Sequence, residues 1–245
     1  MQKLSIALCC LLAAQEGLAT PLVVARFDKG LIVGTNEVLA DGSKACKLHA
    51  AKRAVVLMSA PPANGQAPGG DGTTVQQRMD RALNGQALST SKLTELVRST
   101  AEAASREMPG AGGTSHPSSD AFVFRFVLVN VEEAGPSVSA FNLRLKSGEL
   151  ATLELEPIEK TVQVNELQDY SQQNVRMKHI APSEEAAIEA VRQQLASDTR
   201  IQSATPTQAY QPPFTILEIR HDGTLTLITP PGQCSQEKIN MAAGQ

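Results

Sequence analysis

"PLVVARFDKGLIVGT" (Pro21–Thr35) decides the reading of this chain. Two β-branched apolar runs flank Asp28-Lys29-Gly30, a polar turn closed by a Gly that tolerates positive φ, which is the chemistry of an antiparallel hairpin. A third run, "AVVLMSA" (Ala54–Ala60), is expected to complete a meander with the first two. The chain therefore opens as antiparallel sheet rather than as strand, helix, strand.

Working outward, "PPANGQAPGGDG" (residues 61–72) is a loop by composition, and two helices are expected after it. Val75, Met79 and Leu83 recur at i, i+4, i+8, and Leu93, Leu96, Val97 and Ala101 make one apolar stripe between about Ser91 and Met108. A second polar loop, "PGAGGTSHPSS", precedes three strands: "AFVFRFVLVNV", nearly continuous in apolar residues as a doubly covered strand is, then "SVSAFNLRL" and "LATLELE". Pro182 and Ser183 open a late helix with Ser183 as N-cap, Glu184 and Glu185 in the first turn, and Ile188, Val191 and Leu195 inward. "FTILEIR", the turn His221-Asp222-Gly223 and "TLTLIT" form a closing hairpin. This order does not suit a doubly wound parallel sheet. It suits an α+β fold of antiparallel sheets packed on each other, with helices on the outer faces.

The N-terminus reads as a secretory signal over residues 1–19: Lys3, the apolar "LSIALCCLLAA", then Gly17-Leu18-Ala19 as a small-x-small cleavage site. A first buried strand or helix, or a propeptide, are the other readings. The apolar run of about a dozen residues is too short for a stable membrane anchor, so the expectation is an exported protein, periplasmic or secreted, or a cytoplasmic one if the leader is no signal. Removing the leader leaves Cys46 and Cys234, either as a pair or as two buried thiols. Aromatics at 3%, no Trp and a formal charge of −3 argue against nucleic acid.

The stretch from Thr20 through the first hairpin, then "KACKLHAAKRAVVLMSA", the helix pair, "FVFRFVLVNV" with "GPSVSAFNLRLKSGEL", the helix "SEEAAIEAVRQQLA" and "FTILEIRHDGTLTLI" resembles a proteasome β-type, N-terminal-nucleophile hydrolase domain. The resemblance covers nearly all of residues 20–230. It implies a domain over 20–232, a C-terminal tail over 233–245, and a four-layer αββα sandwich that hydrolyses peptide or amide bonds without a cofactor or metal. Several copies or related subunits would assemble together. Thr20 would be the nucleophile after a cut behind Ala19, because an N-terminal threonine carries its own base, an α-amine with pKa about 8. Lys47 would be the cation that tunes it, and Asn36 stands where the family has an aspartate.

Taken singly, Lys47 reads as a solvated surface charge and Asn36 as a turn residue; their joint spacing carries the functional reading. Asn36 can orient Lys47 but cannot hold its charge as a carboxylate would. Counted without gaps, the family's oxyanion-binding glycine falls at Pro61, which has no N–H, although a short shift brings Ala60 or Ala63 there. Ser171 is the one serine near the family's Gly-Ser-rich turn, and Asp198, just past the late helix, is either an accessory acid or a helix-end turn residue. The alternative is a catalytically silent subunit that keeps the fold for assembly or binding.

Other chemistry finds less support. His49, His116, His179 and His221 are far apart, with no pair at helical metal-ligand spacing, although by resemblance His49 follows the lysine towards the pocket. "PGAGG" lacks the Lys-Ser or Lys-Thr of a phosphate-binding loop, and Cys46 beside Lys47 has no supporting histidine. Glu132, Glu133, Glu154, Glu156 and Glu159 read as a solvated strand edge.

Overall fold

The computed structural model describes residues 21–37, 44, 46–59, 75–83, 91–92, 94–96, 98–99, 121–146, 152–158, 161–170, 176–202, 214–229 and 232–244. It is an α+β fold with two antiparallel sheets. The strands are β1 (Leu22–Phe27), β2 (Gly30–Asn36), β3 (Leu48–Ala51), β4 (Ala54–Ser59), β5 (Ala121–Glu132), β6 (Gly135–Lys146), β7 (Thr152–Pro157), β8 (Glu166–Asp169), β9 (Arg176–His179), β10 (Phe214–Arg220) and β11 (Leu225–Leu227). One sheet runs β11-β10-β2-β1-β8-β9 and the other β3-β4-β5-β6-β7. The helices are α1 (Val75–Leu83), α2 (Glu184–Gln202) and α3 (Gln236–Ala243), with further helical residues between 91 and 99.

The opening hairpin forms as the sequence predicts, with Phe27 opposite Gly30. Gly30 is required for another reason than the turn. The Ile219 carbonyl of β10 lies where a Cβ would stand, so the glycine admits the neighbouring strand. The meander is corrected: β4 leaves the first sheet and pairs with β3 and β5. Three apolar strands in succession fit either arrangement, and burial on both faces erases the alternation that would assign them.

The sheets face each other across one core. Leu22, Val24, Leu31, Val33, Leu217 and Ile219 from the first meet Leu48, Val55, Leu57, Val127 and Val129 from the second. Residues of opposite parity on the six-stranded sheet, Val23, Ala25, Ile32 and Ile216, pack under Ala187, Val191 and Leu195 of α2. On the outer side of the five-stranded sheet Val56, Met58, Phe126 and Leu128 are buried too, and His49 Nδ1 of β3 meets Asp80 Oδ1 of α1 at 2.7 Å. Met79 and Leu83 are fully buried, as their spacing predicts.

Ser183 caps α2 by accepting the Ala186 N–H at 3.1 Å. The inward stripe is Ala187, Ala190, Val191 and Leu195, while Ile188 is only partly buried. The helix continues to Gln202, so Asp198 lies within it rather than past its end. Residues 91–92, 94–96 and 98–99 are helical, and the rest of the second expected helix lies outside the described residues. The closing hairpin turns where predicted, with Asp222 Oδ1 accepting the Thr224 N–H at 2.8 Å and Gly223 at φ 91°. Among the described residues no helix is long and apolar enough to cross a membrane.

Residues 233–245, read from sequence as a tail, include α3. Ser235 caps it by accepting the Lys238 N–H, and Gly244 ends it in the left-handed region. Ile239 and Ala243 enter the core between the sheets, and the helix lies against both β3 and β11, an edge strand of each sheet.

Gly34 gives one stability prediction. A Cβ there would stand 2.5 Å from Val191 Cγ1 and 2.9 Å from Leu195 Cδ1, so Gly34→Ala overpacks the contact between β2 and α2. Urea denaturation is expected to register a loss of about 1–3 kcal/mol.

Candidate functional site

Four strand ends meet at one end of the six-stranded sheet. Register sets Leu22 beside Thr35, Val23 beside Asp169, Thr35 beside Thr215 and Asn36 beside Phe214. The starts of β1 and β10 therefore adjoin the ends of β2 and β8. Thr35, Asn36, Glu37, Asp169 and Thr215 are all buried there, and Lys47, which leads into β3, is buried with them. Buried polar groups are costly unless paired, so a cluster of them at the end of an apolar sandwich marks this end as the candidate site.

Lys47 Nζ donates to Asn36 Oδ1 at 2.7 Å. The pair spans the two sheets, since Asn36 ends β2 while Lys47 extends the β3–β4 ladder by accepting the Met58 N–H. Lys47 is 3% exposed, and burial pushes its amine down to about 7. Burial is the cause, and the residue at position 36 does not oppose it. A carboxylate would favour the ammonium, whereas a neutral amide accepts a hydrogen bond without offsetting the desolvation of the charge. Near pH 7 the amine is about half neutral, which makes it a proton acceptor rather than a standing cation.

Sequence reasoning missed three groups at this end. Glu37, 2% exposed, accepts from Thr215 Oγ1 at 2.8 Å, the Gln233 N–H at 3.0 Å and the Cys234 N–H at 3.3 Å. Asp169 accepts from Gln194 Nε2 of α2 at 2.8 Å. Arg125 donates from Nε to Asn142 Oδ1 at 2.7 Å and from a terminal nitrogen to the Tyr170 carbonyl, and the Tyr170 N–H in turn donates to the Leu22 carbonyl at 2.8 Å. Arg125 was legible: a single charge inside "AFVFRFVLVNV" must be paired when that strand is buried. Glu37 carries no such mark, because its partners lie about 180 to 200 residues on in sequence.

Cys46 and Cys234 are joined in a disulfide across a separation of 188 residues, with a Cα–Cα distance of 4.9 Å, which decides between the two readings of these cysteines. His49 stands on β3 and faces α1 through Asp80. Pro21 is buried where the chain enters β1. Thr20, Ala60, Pro61, Ala63 and Ser171 lie outside the described residues, and so does the side chain of Asp198. Among the described sequence-predicted residues, then, Asn36 and Lys47 are brought into contact. No protein-family model matches the chain, and no curated protein does.

Proposed function

We propose that the chain is a threonine-nucleophile hydrolase of peptide or amide bonds, on an αββα sandwich of the N-terminal-nucleophile type. The observation that carries the proposal is the buried Lys47–Asn36 pair at 2.7 Å, located at the sheet end where β1 begins, two residues after Thr20. The packing of α2 on one sheet and of α1 against β3 of the other supports the four-layer reading. The disulfide suits an exported chain in an oxidising compartment. The same resemblance favours a homo-oligomer or an assembly of related subunits.

In this reading a cut behind Ala19 frees the Thr20 amine. The Thr20 hydroxyl adds to the substrate carbonyl as its proton passes to a neutral amine, its own or that of Lys47. The C–N bond breaks as the leaving amine takes up that proton, and water then hydrolyses the ester left on Thr20. With Lys47 near 7, the proton acceptor is present at and above neutral pH and lost below it. Intact-mass analysis of the mature protein, with and without a β-lactone or epoxyketone, tests the proposal. A mature start at Thr20 with an adduct that is absent from Thr20→Ala is the expected result. A mature start elsewhere, or full hydrolytic activity in Thr20→Ala, rules out Thr20 as nucleophile, and a correct start with neither adduct nor activity supports the silent subunit.

A further inference from the structure

Asn36 and Lys47 are eleven residues apart and belong to different sheets, so no strand ladder fixes the distance between them. What they share is a third segment, Gly232–Cys234. Glu37, next to Asn36, accepts the N–H groups of Gln233 and Cys234, and Cys46, next to Lys47, is bonded to Cys234. The path Asn36-Glu37···Cys234–Cys46-Lys47 closes a ring through the hydrogen bond of the pair itself. Gly232 is fitted to this ring, because a Cβ there would stand 2.5 and 2.7 Å from the two carboxylate oxygens of Glu37. Thr215 of β10 braces the carboxylate from the sheet side.

We propose that Glu37 is a positioning residue for the Lys47–Asn36 pair, acting with the Cys46–Cys234 disulfide through the segment Gly232–Cys234. The inference rests on the hydrolase reading only for its effect on rate; the geometry of the clamp stands without it. A loosened clamp admits water to Lys47 and returns its amine towards the ordinary lysine range. Reduced burial, not a lost charge, must produce the shift, so the discriminating variants keep the Glu37 charge. Glu37→Asp withdraws the carboxylate by one methylene, Gly232→Ala wedges the segment away, and Cys46→Ser with Cys234→Ser removes the covalent side.

The test is the titration of the Lys47 amine in the full folded chain, followed by NMR of 13Cε-labelled lysine and assigned by the signal lost in Lys47→Met. Each variant is expected to raise the midpoint by one unit or more, and combining Glu37→Asp with the two serines is expected to raise it further. If the folded variants titrate with the wild type while melting lower, Glu37 and the disulfide are structural only and the proposal is overturned. Should one variant fail to fold, Gly232→Ala and reduction of the intact protein with dithiothreitol decide it by the same reading. In an active enzyme a one-unit rise lowers the rate at pH 7 about five-fold, as the neutral fraction falls from about a half to about a tenth. A wild type without Thr20 activity whose Lys47 midpoint still responds to these variants supports the clamp and refutes the hydrolase. Activity with an unresponsive midpoint does the reverse.

Discussion

Under the proposed hydrolase reading, Lys47→Met is expected to lower hydrolysis of a peptide or amide substrate by roughly 10²- to 10⁴-fold, and at neutral and acid pH to leave the folded chain more stable than before. Both effects follow from one burial. In the unfolded chain Lys47 titrates near about 10.4, whereas in the fold burial brings it to about 7. Between those values the unfolded state binds a proton that the folded state does not. Stability therefore rises with pH across this window, by about 1.4 kcal/mol per unit, and below pH 7 the folded chain carries the full cost of a buried ammonium. That cost is about 5 kcal/mol, against about 1–3 kcal/mol for leaving the Asn36 amide without its lysine donor. Urea denaturation is then expected to find Lys47→Met ahead by about 3 kcal/mol at pH 6, with the gap closing near pH 9. A gap that does not change with pH would mean that Lys47 titrates as an ordinary lysine.

Replacing Cys46 and Cys234 together with serine is expected to cost about 2–5 kcal/mol, because the bond closes a loop spanning most of the chain and restricts the unfolded ensemble accordingly. For a protein of this size the melting temperature falls by roughly 4–20 °C. Differential scanning calorimetry with and without reductant checks it. Reductant is expected to lower the melting point of the wild type and to leave the double variant unmoved. Equal melting of the two proteins without reductant would show that the sulfurs are not joined in the folded chain. The effect exceeds that of Gly34→Ala at its upper end because Cys234, 1% exposed, also anchors α3 in the core.

Local chemistry was legible in the sequence, and partners remote in the chain were not. The turn at Asp28-Lys29, the cap at Ser183, the stripe through Met79 and Leu83, and the turn before Thr224 all depend on neighbours within a few residues, and each forms where it was expected. The exchange of β4 between sheets was hidden because its residues are apolar on both faces. The short α3 carried its own signals, Ser235 before it and Gly244 after it, but eight residues supply little periodicity against which to weigh them. At the site, Asn36 and Lys47 were singled out by the resemblance together with their joint spacing, and taken singly neither carried a signal. The lowered amine of Lys47 followed only once its burial was visible, since no pattern of residue types measures desolvation.

α3 and Cys234 follow every strand of both sheets in the chain, and this orders events during synthesis. A chain made from its N-terminus can pair β1 with β2, and β3 with β4 and β5, long before Gly232–Cys234 has been added. Until then the segment that joins the neighbours of Asn36 and Lys47 is missing, and β3 and β11 lack their contact with α3. Under the proposed clamp the pair is fixed last, after the strands of both sheets have been made, so an unfinished chain carries strands without the clamped pair.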